Sequence, residues 1–209
     1  MNKLILLRHG QSQWNFENKF TGLEDVPLTA KGIKEAIEAG KLMKKNKIEI
    51  DLIFCSVLQR AIETARLSVL EVNLKHLWNE KELLMVTDQA LNERDYGELV
   101  GLNKKETANK FGEEQVHIWR RSFDIPPPGG ESLKNVVNRV KPYFEINIEP
   151  KLKKQKNILV VAHGNSLRAL MICVGLYLPE EISKIELPTG SPFVFYYEKG
   201  KLMRSEYLV

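Results

Sequence analysis

The sequence predicts an α/β fold, a mostly parallel central sheet flanked by helices on both faces, with a small helical cap. Three observations point there. Short apolar runs of strand length alternate with segments of helical periodicity. Two of those runs, residues 3–8 (KLILLR) and Ile158–Ala162 (ILVVA), are almost continuously apolar, as strands covered on both faces are. Between them, at about residues 87–149, the alternation gives way to polar helices and the break Pro126-Pro127-Pro128-Gly129-Gly130. That stretch reads as a cap inserted into one domain, a size that 209 residues allow.

Each element has its own local signal. Residues 3–8 form the first buried strand. Thr29 is a plausible N-cap for a helix whose apolar positions Ile33, Ala36, Ile37, Gly40 and Met43 share one face. Residues 51–55 (DLIFC) read as a second strand. Ser56 with Gln59 then forms a capping box for a helix over 57–70. After the strand Ile158–Ala162, a helix carries Leu167, Leu170, Met171 and Val174 on one stripe, and Gly175 ends it. Pro192–Glu198 is the last strand expected. There is no internal repeat.

Composition narrows the function. With 43% hydrophobic and 28% charged residues this is an ordinary globular sequence, and no apolar run approaches the roughly 20 residues of a membrane helix. The start, Met1 to Leu7, is too short for a signal peptide, so a cytoplasmic protein is expected. Cys55 and Cys173 read as small hydrophobes, not as a disulfide or a metal site. The lysine stretches at 44–47 and 151–156 lack interleaved aromatics and read as solvated loops, which argues against a nucleic-acid partner.

The chemistry concentrates at two strand ends. KLILLR-His9-Gly10 and ILVVA-His163-Gly164 each deliver a histidine and a glycine to the carboxyl edge of the sheet, where open α/β sheets bind ligands. Arg8, Arg60, Arg120, Arg121 and Arg168 lie around them, and converging guanidinium forks imply a phosphorylated ligand. The helices starting near Ser56 and Asn165 would add backbone N–H groups to the same anion site. A neutral imidazole is a competent nucleophile toward phosphorus near pH 7. An alkoxide leaving group also needs an acid, and residues 91–97 (LNERDYG) offer Glu93 and Asp95. Residue chemistry alone does not choose between them.

These residues bring a resemblance with them. Leu7-Arg8-His9-Gly10-Gln11-Ser12, Trp14-Asn15, Phe20-Thr21-Gly22 and Ala162-His163-Gly164-Asn165-Ser166-Leu167-Arg168 resemble the histidine phosphatase superfamily. The segments at 55–61 (CSVLQRA), 91–97, 101–107 (GLNKKET) and 119–124 (WRRSFD) resemble in particular its 2,3-bisphosphoglycerate-dependent phosphoglycerate mutases. The resemblance implies that His9 is phosphorylated, that Glu93 rather than Asp95 is the acid/base, and that Arg8, Arg60 and His163 hold the transferring group. It implies that Asn15 and the backbone at Gly164 complete that pocket. Thr21, Gly22, Tyr96, Lys104, Arg120, Arg121 and Asn165 would bind the carboxylate and second phosphate of a small phosphorylated acid. The implied reaction interconverts 3- and 2-phosphoglycerate, with 2,3-bisphosphoglycerate as primer and intermediate and without a metal. It allows a homo-oligomer such as a dimer. Two departures are a shorter link between Phe123 and Gly129 and an end at Val209, where longer members carry a tail. The rival readings are a phosphatase of the same superfamily and a silent anion-binding protein on the same fold.

Overall fold

A computed structural model describes residues 1–209. The strands are β1 (Asn2–Arg8), β2 (Leu52–Cys55), β3 (Trp78–Asn79), β4 (Glu82–Leu83), β5 (Val86–Thr87), β6 (Ile158–Ala162), β7 (Pro192–Glu198) and β8 (Lys201–Tyr207). Six of them form one sheet in the order β5-β2-β6-β1-β7-β8, and β3 pairs with β4 apart from it. Pairing is parallel from β5 through β2 and β6 to β1, and antiparallel from β1 through β7 to β8. The sheet is thus mostly parallel on the side that carries the two histidines. Strand β8 lies in the last nine residues, beyond the last strand the sequence suggested. Its burial alternates between exposed and half-buried, so no apolar run marks it.

Alternation along the buried strands divides the core between two faces. Leu4 and Leu6 of β1, with Ile158, Val160 and Ala162 of β6, pack on one side. Ile5 and Leu7, with Leu159 and Val161, pack on the other. The first face is covered by α6 (Leu133–Tyr143), α7 (Glu149–Lys153) and α8 (Gly164–Cys173). The second is covered by α2 (Ala30–Lys45) and α3 (Gln59–Val72). The small helices α1 (Gln13–Phe16), α4 (Lys104–Phe111), α5 (Glu113–Arg121) and α9 (Pro179–Ile182) complete the set. No helix is long and apolar enough to cross a membrane.

Several local expectations change. Thr29 caps α2 as expected, its hydroxyl accepting from the Gly32 N–H. The buried face of α2, however, is Gly32, Ala36, Ala39, Gly40 and Met43, and Ile33 is exposed. Ser56 does not cap a helix at 57: α3 starts at Gln59 with Leu58 before it, and the Ser56 hydroxyl turns to other partners. Cys55 is buried and Cys173 half-buried; burial pushes both thiols up, that of Cys173 to about 11.

The cap expected over about 87–149 is not uniform. Leu133, Val136, Val140, Phe144 and Ile148 join the main core, so α6 and the turn after it flank the sheet. The part over the strand ends has its own small cluster of Phe20, Leu99 and Val116, with Tyr96, Ala108 and Trp119 against it. The physical reason is the apolar stripe of α6, spaced 133, 136, 140, which is buried in the main core, where α6 packs against α8 and the turn at Gln89–Leu91.

Candidate active site

Parallel pairing aligns the two histidine-bearing ends. Arg8 pairs with Ala162, and the His9 N–H donates to the Ala162 carbonyl at 3.0 Å, so the ladder runs one residue beyond β1. His9 and His163 then lie with ring centroids 4.9 Å apart. Gly10 is required by close approach: a Cβ there would overlap the backbone of Gly32 in α2.

A cavity opens above these ends, and only two of its seventeen lining residues are hydrophobic. Seven cationic side chains face two carboxylates, Glu93 and Glu186, so the cavity suits a polyanion. Arg60, 1% exposed, donates to the carbonyls of Glu24 at 2.7 Å and Gly22 at 3.0 Å. Arg8 donates to the Leu187 carbonyl at 2.6 Å, and Arg168 donates to the Ile185 carbonyl at 3.0 and 2.8 Å. Carbonyls hold the guanidinium groups in place without neutralising them, so their charge stays available to a ligand. Burial lowers the pKa of Arg60 to about 10, which leaves it charged at neutral pH, and lowers that of Lys104.

His9 is 3% exposed, and its Nδ1 lies 2.7 Å from the Gly10 carbonyl. A carbonyl only accepts, so Nδ1 carries the hydrogen and Nε2 keeps its lone pair. Burial first, then the charges of His163, Arg60 and Arg8, hold the imidazole pKa well below 6.5, and the ring is neutral at pH 7. Burial and the charges of Arg60, Arg8 and Arg139 do the same to His163.

Glu93 is buried beside them. Its Oε1 accepts from the Arg94 N–H at 2.7 Å and from Asn165, through N–H at 3.2 Å and Nδ2 at 2.9 Å. Burial pushes its carboxyl up, but those hydrogen bonds with Arg8 and Arg60 outweigh it and hold the pKa below the usual value. Asp95 does not line the cavity: its carboxylate accepts from the Gly97 N–H at 2.8 Å and shapes the turn. Arg139 of α6 secures this loop, donating to the carbonyls of Ala90, Asn92 and Glu93 at 2.7, 3.1 and 3.0 Å.

Of the residues singled out from the sequence, Arg8, His9, Asn15, Thr21, Gly22, Arg60 and Glu93 line the cavity. So do Tyr96, Lys104, Arg120, Arg121, Gly164 and Asn165. His163 does not; it is fully buried next to His9. The expected anion site at the start of α3 is also absent, because the Gln59 N–H is spent on Asp25 Oδ1 at 2.7 Å. Arg168, expected among the arginines converging on a phosphorylated ligand, lines the cavity too, as do Lys19, Phe20 and Glu186, to which the sequence assigns no binding role. Arg168 was legible, one turn after His163. Glu186 was not: it comes from the chain before β7 and pairs with Arg121 across the rim.

The model of the histidine phosphatase superfamily (branch 1) matches residues 4–206. A 2,3-bisphosphoglycerate-dependent phosphoglycerate mutase of Parvibaculum lavamentivorans is 46% identical, covering 100% of this chain and 97% of the relative. The enzyme of that name from Rhodopseudomonas palustris is 51% identical over 92% of this chain and 90% of its own. A mycobacterial glucosyl-3-phosphoglycerate phosphatase complexed with VO3 shares the fold, with a TM-score of 0.77 and 24% identity over 94% of this chain and 93% of that one. Matched almost end to end, the chain belongs to the histidine phosphatase superfamily, among its 2,3-bisphosphoglycerate-dependent phosphoglycerate mutases.

Proposed function

We propose that the protein interconverts 3-phosphoglycerate and 2-phosphoglycerate, with His9 as the phosphoryl carrier. One observation carries the reading: a neutral imidazole with Nε2 unprotonated stands among fixed cations and beside a buried carboxylate. The relatives near half identity over nearly the whole chain support it independently.

In this mechanism 2,3-bisphosphoglycerate supplies the phosphoryl group that primes His9. Arg8, Arg60 and Asn15, with the backbone at Gly164, take the equatorial oxygens, where phosphoryl transfer needs its charge neutralised. Their guanidinium groups provide charge that a metal supplies in other phosphotransferases. Tyr96, Lys104, Arg120, Arg121 and Asn165, with Thr21 and Gly22, hold the carboxylate and the second phosphate. Glu93 accepts the substrate hydroxyl's proton as the phosphoryl group leaves His9, and returns a proton to the departing oxygen in the reverse step. A phosphoryl dianion on Arg8 and Arg60 offsets their pull on Glu93, so burial then raises its proton affinity, as the acid role requires. A cytoplasmic location and a homo-oligomer such as a dimer belong to the same proposal.

A coupled assay with 3-phosphoglycerate, with and without added 2,3-bisphosphoglycerate, tests it. Turnover stimulated by the bisphosphate and retained in chelator is expected. Release of inorganic phosphate without 2-phosphoglycerate would make the protein a phosphatase, and chelator-sensitive turnover would reject the mechanism.

A further inference from the structure

The second histidine carries a hydrogen-bond chain to which phosphoryl transfer on His9 assigns no task. Ser56, fully buried after β2, has its hydroxyl 2.7 Å from Asn92 Oδ1 and 2.8 Å from His163 Nε2. Asn92 Oδ1 also receives the Val57 N–H at 3.3 Å, which marks that atom as the amide oxygen. The Leu58 N–H donates to the Ser56 oxygen at 3.2 Å. A hydroxyl has one proton and two lone pairs. Ser56 spends the proton on Asn92 and one lone pair on Leu58, so toward His163 it only accepts. The hydrogen of the neutral ring therefore sits on Nε2. Nδ1 keeps the lone pair, and it is buried with no hydrogen-bond partner in the protein.

Building on the phosphohistidine reading, we propose that Ser56 and Asn92 are positioning residues that lock His163 in the Nε2–H tautomer. Nδ1 is then the unpartnered atom of a ring 4.9 Å from that of His9, and it donates to a phosphoryl oxygen carried on His9 only after taking up a proton. That proton comes from the P–OH of the phosphoryl monoanion: its O–H bond breaks, an N–H bond forms, and a dianion faces an imidazolium. The opposite tautomer would donate from Nδ1 without charge, so the lock converts a neutral hydrogen bond into a charged one. Asn92 also precedes Glu93, and Arg139 grips the carbonyls of both, so one chain ties the imidazole to the loop that carries the carboxylate.

NMR of the full chain labelled with 15N-histidine reads the tautomer directly. At pH about 8, His163 is expected protonated at Nε2 alone, and saturating inorganic phosphate should add a proton at Nδ1. Ser56→Ala should let both tautomers appear and lower kcat roughly 10- to 100-fold, with KM changed less than about threefold. Ser56→Thr should restore both readouts. Asn92→Ala frees the hydroxyl proton to turn toward His163 and gives the same test if Ser56→Ala does not fold. An Nδ1–H ring in the unaltered protein, an Nδ1 that stays unprotonated in phosphate, or an unchanged tautomer and kcat in the folded variants would each overturn the proposal. The tautomer is read without turnover, so loss of the mutase reading would leave this test standing.

Discussion

The two strand ends differ where their sequences agree. Both deliver a histidine followed by a glycine, and β1 and β6 are adjacent and in register. After β1 the chain enters a loop, and His9 folds its Nδ1 back onto the Gly10 carbonyl and presents Nε2. After β6 the chain turns directly into α8, so His163 becomes the residue before the first helical turn and its ring is drawn toward Ser56. The same dipeptide thus yields one ring that lines the cavity with Nε2 unpaired and one buried ring whose Nε2 is tied to Ser56. The element entered after the strand, loop or helix, sets the role.

The largest expected effect tests that asymmetry. His9→Ala should lose turnover by roughly 10⁴-fold or more, and with it the acid-labile phosphoryl label left by 2,3-bisphosphoglycerate. His163→Ala should lose about 10²–10³-fold and still acquire the label slowly, since it removes a group that supports transfer rather than the acceptor. Equal losses with no label in either would erase the distinction.

Glu93 belongs with the second strand end, because Asn165 of α8 supplies two of its hydrogen bonds. Glu93→Gln should lower kcat by roughly 10²–10⁴-fold with a smaller change in KM. Asp95→Asn should stay within about tenfold of the unaltered protein, since Asp95 serves a turn outside the cavity. Steady-state kinetics on the pair decides, and the reverse ranking would move the acid to Asp95.

The two imidazoles are alike in one respect, and pH exposes it. Both are held neutral in the fold, with pKa values depressed below 6.5, whereas the unfolded chain protonates them near 6.5. Their contribution to stability is complete above that pH and is lost as pH falls below it, by up to about 1.4 kcal/mol per pH unit for each ring. Urea unfolding between pH 8 and 5.5 should show this fall, and His9→Ala should roughly halve its slope. A flat profile would mean that the rings titrate normally in the fold.

The smallest effect belongs to the rim, away from both strand ends. Glu186, largely exposed, pairs with Arg121 and competes with an anionic ligand for it. Glu186→Gln should lower KM for 3-phosphoglycerate by about two- to fivefold and leave kcat unchanged, the scale of an exposed ion pair. A large change in kcat would shift weight from the strand ends to the rim.

Apolar runs and helical spacing determined β1, β2, β6, β7 and α8 closely, because those patterns depend on neighbours within a turn or a strand. Residue chemistry determined the anion site, since few side chains other than arginine, lysine and neutral histidine handle a phosphoryl group. The tertiary structure decided what neighbours in sequence do not encode. Pairing placed β6 between β1 and β2, bringing His163 against His9 and the Ser56 hydroxyl to it across 107 positions. It chose Glu93 over Asp95 for the cavity, and it spent the start of α3 on Asp25. It also took Ser56 from the helix cap its spacing suggested. A hydroxyl or carboxylate bonds to whatever donor the fold brings within about 3 Å, and that partner is fixed by packing of the whole core rather than by the local sequence.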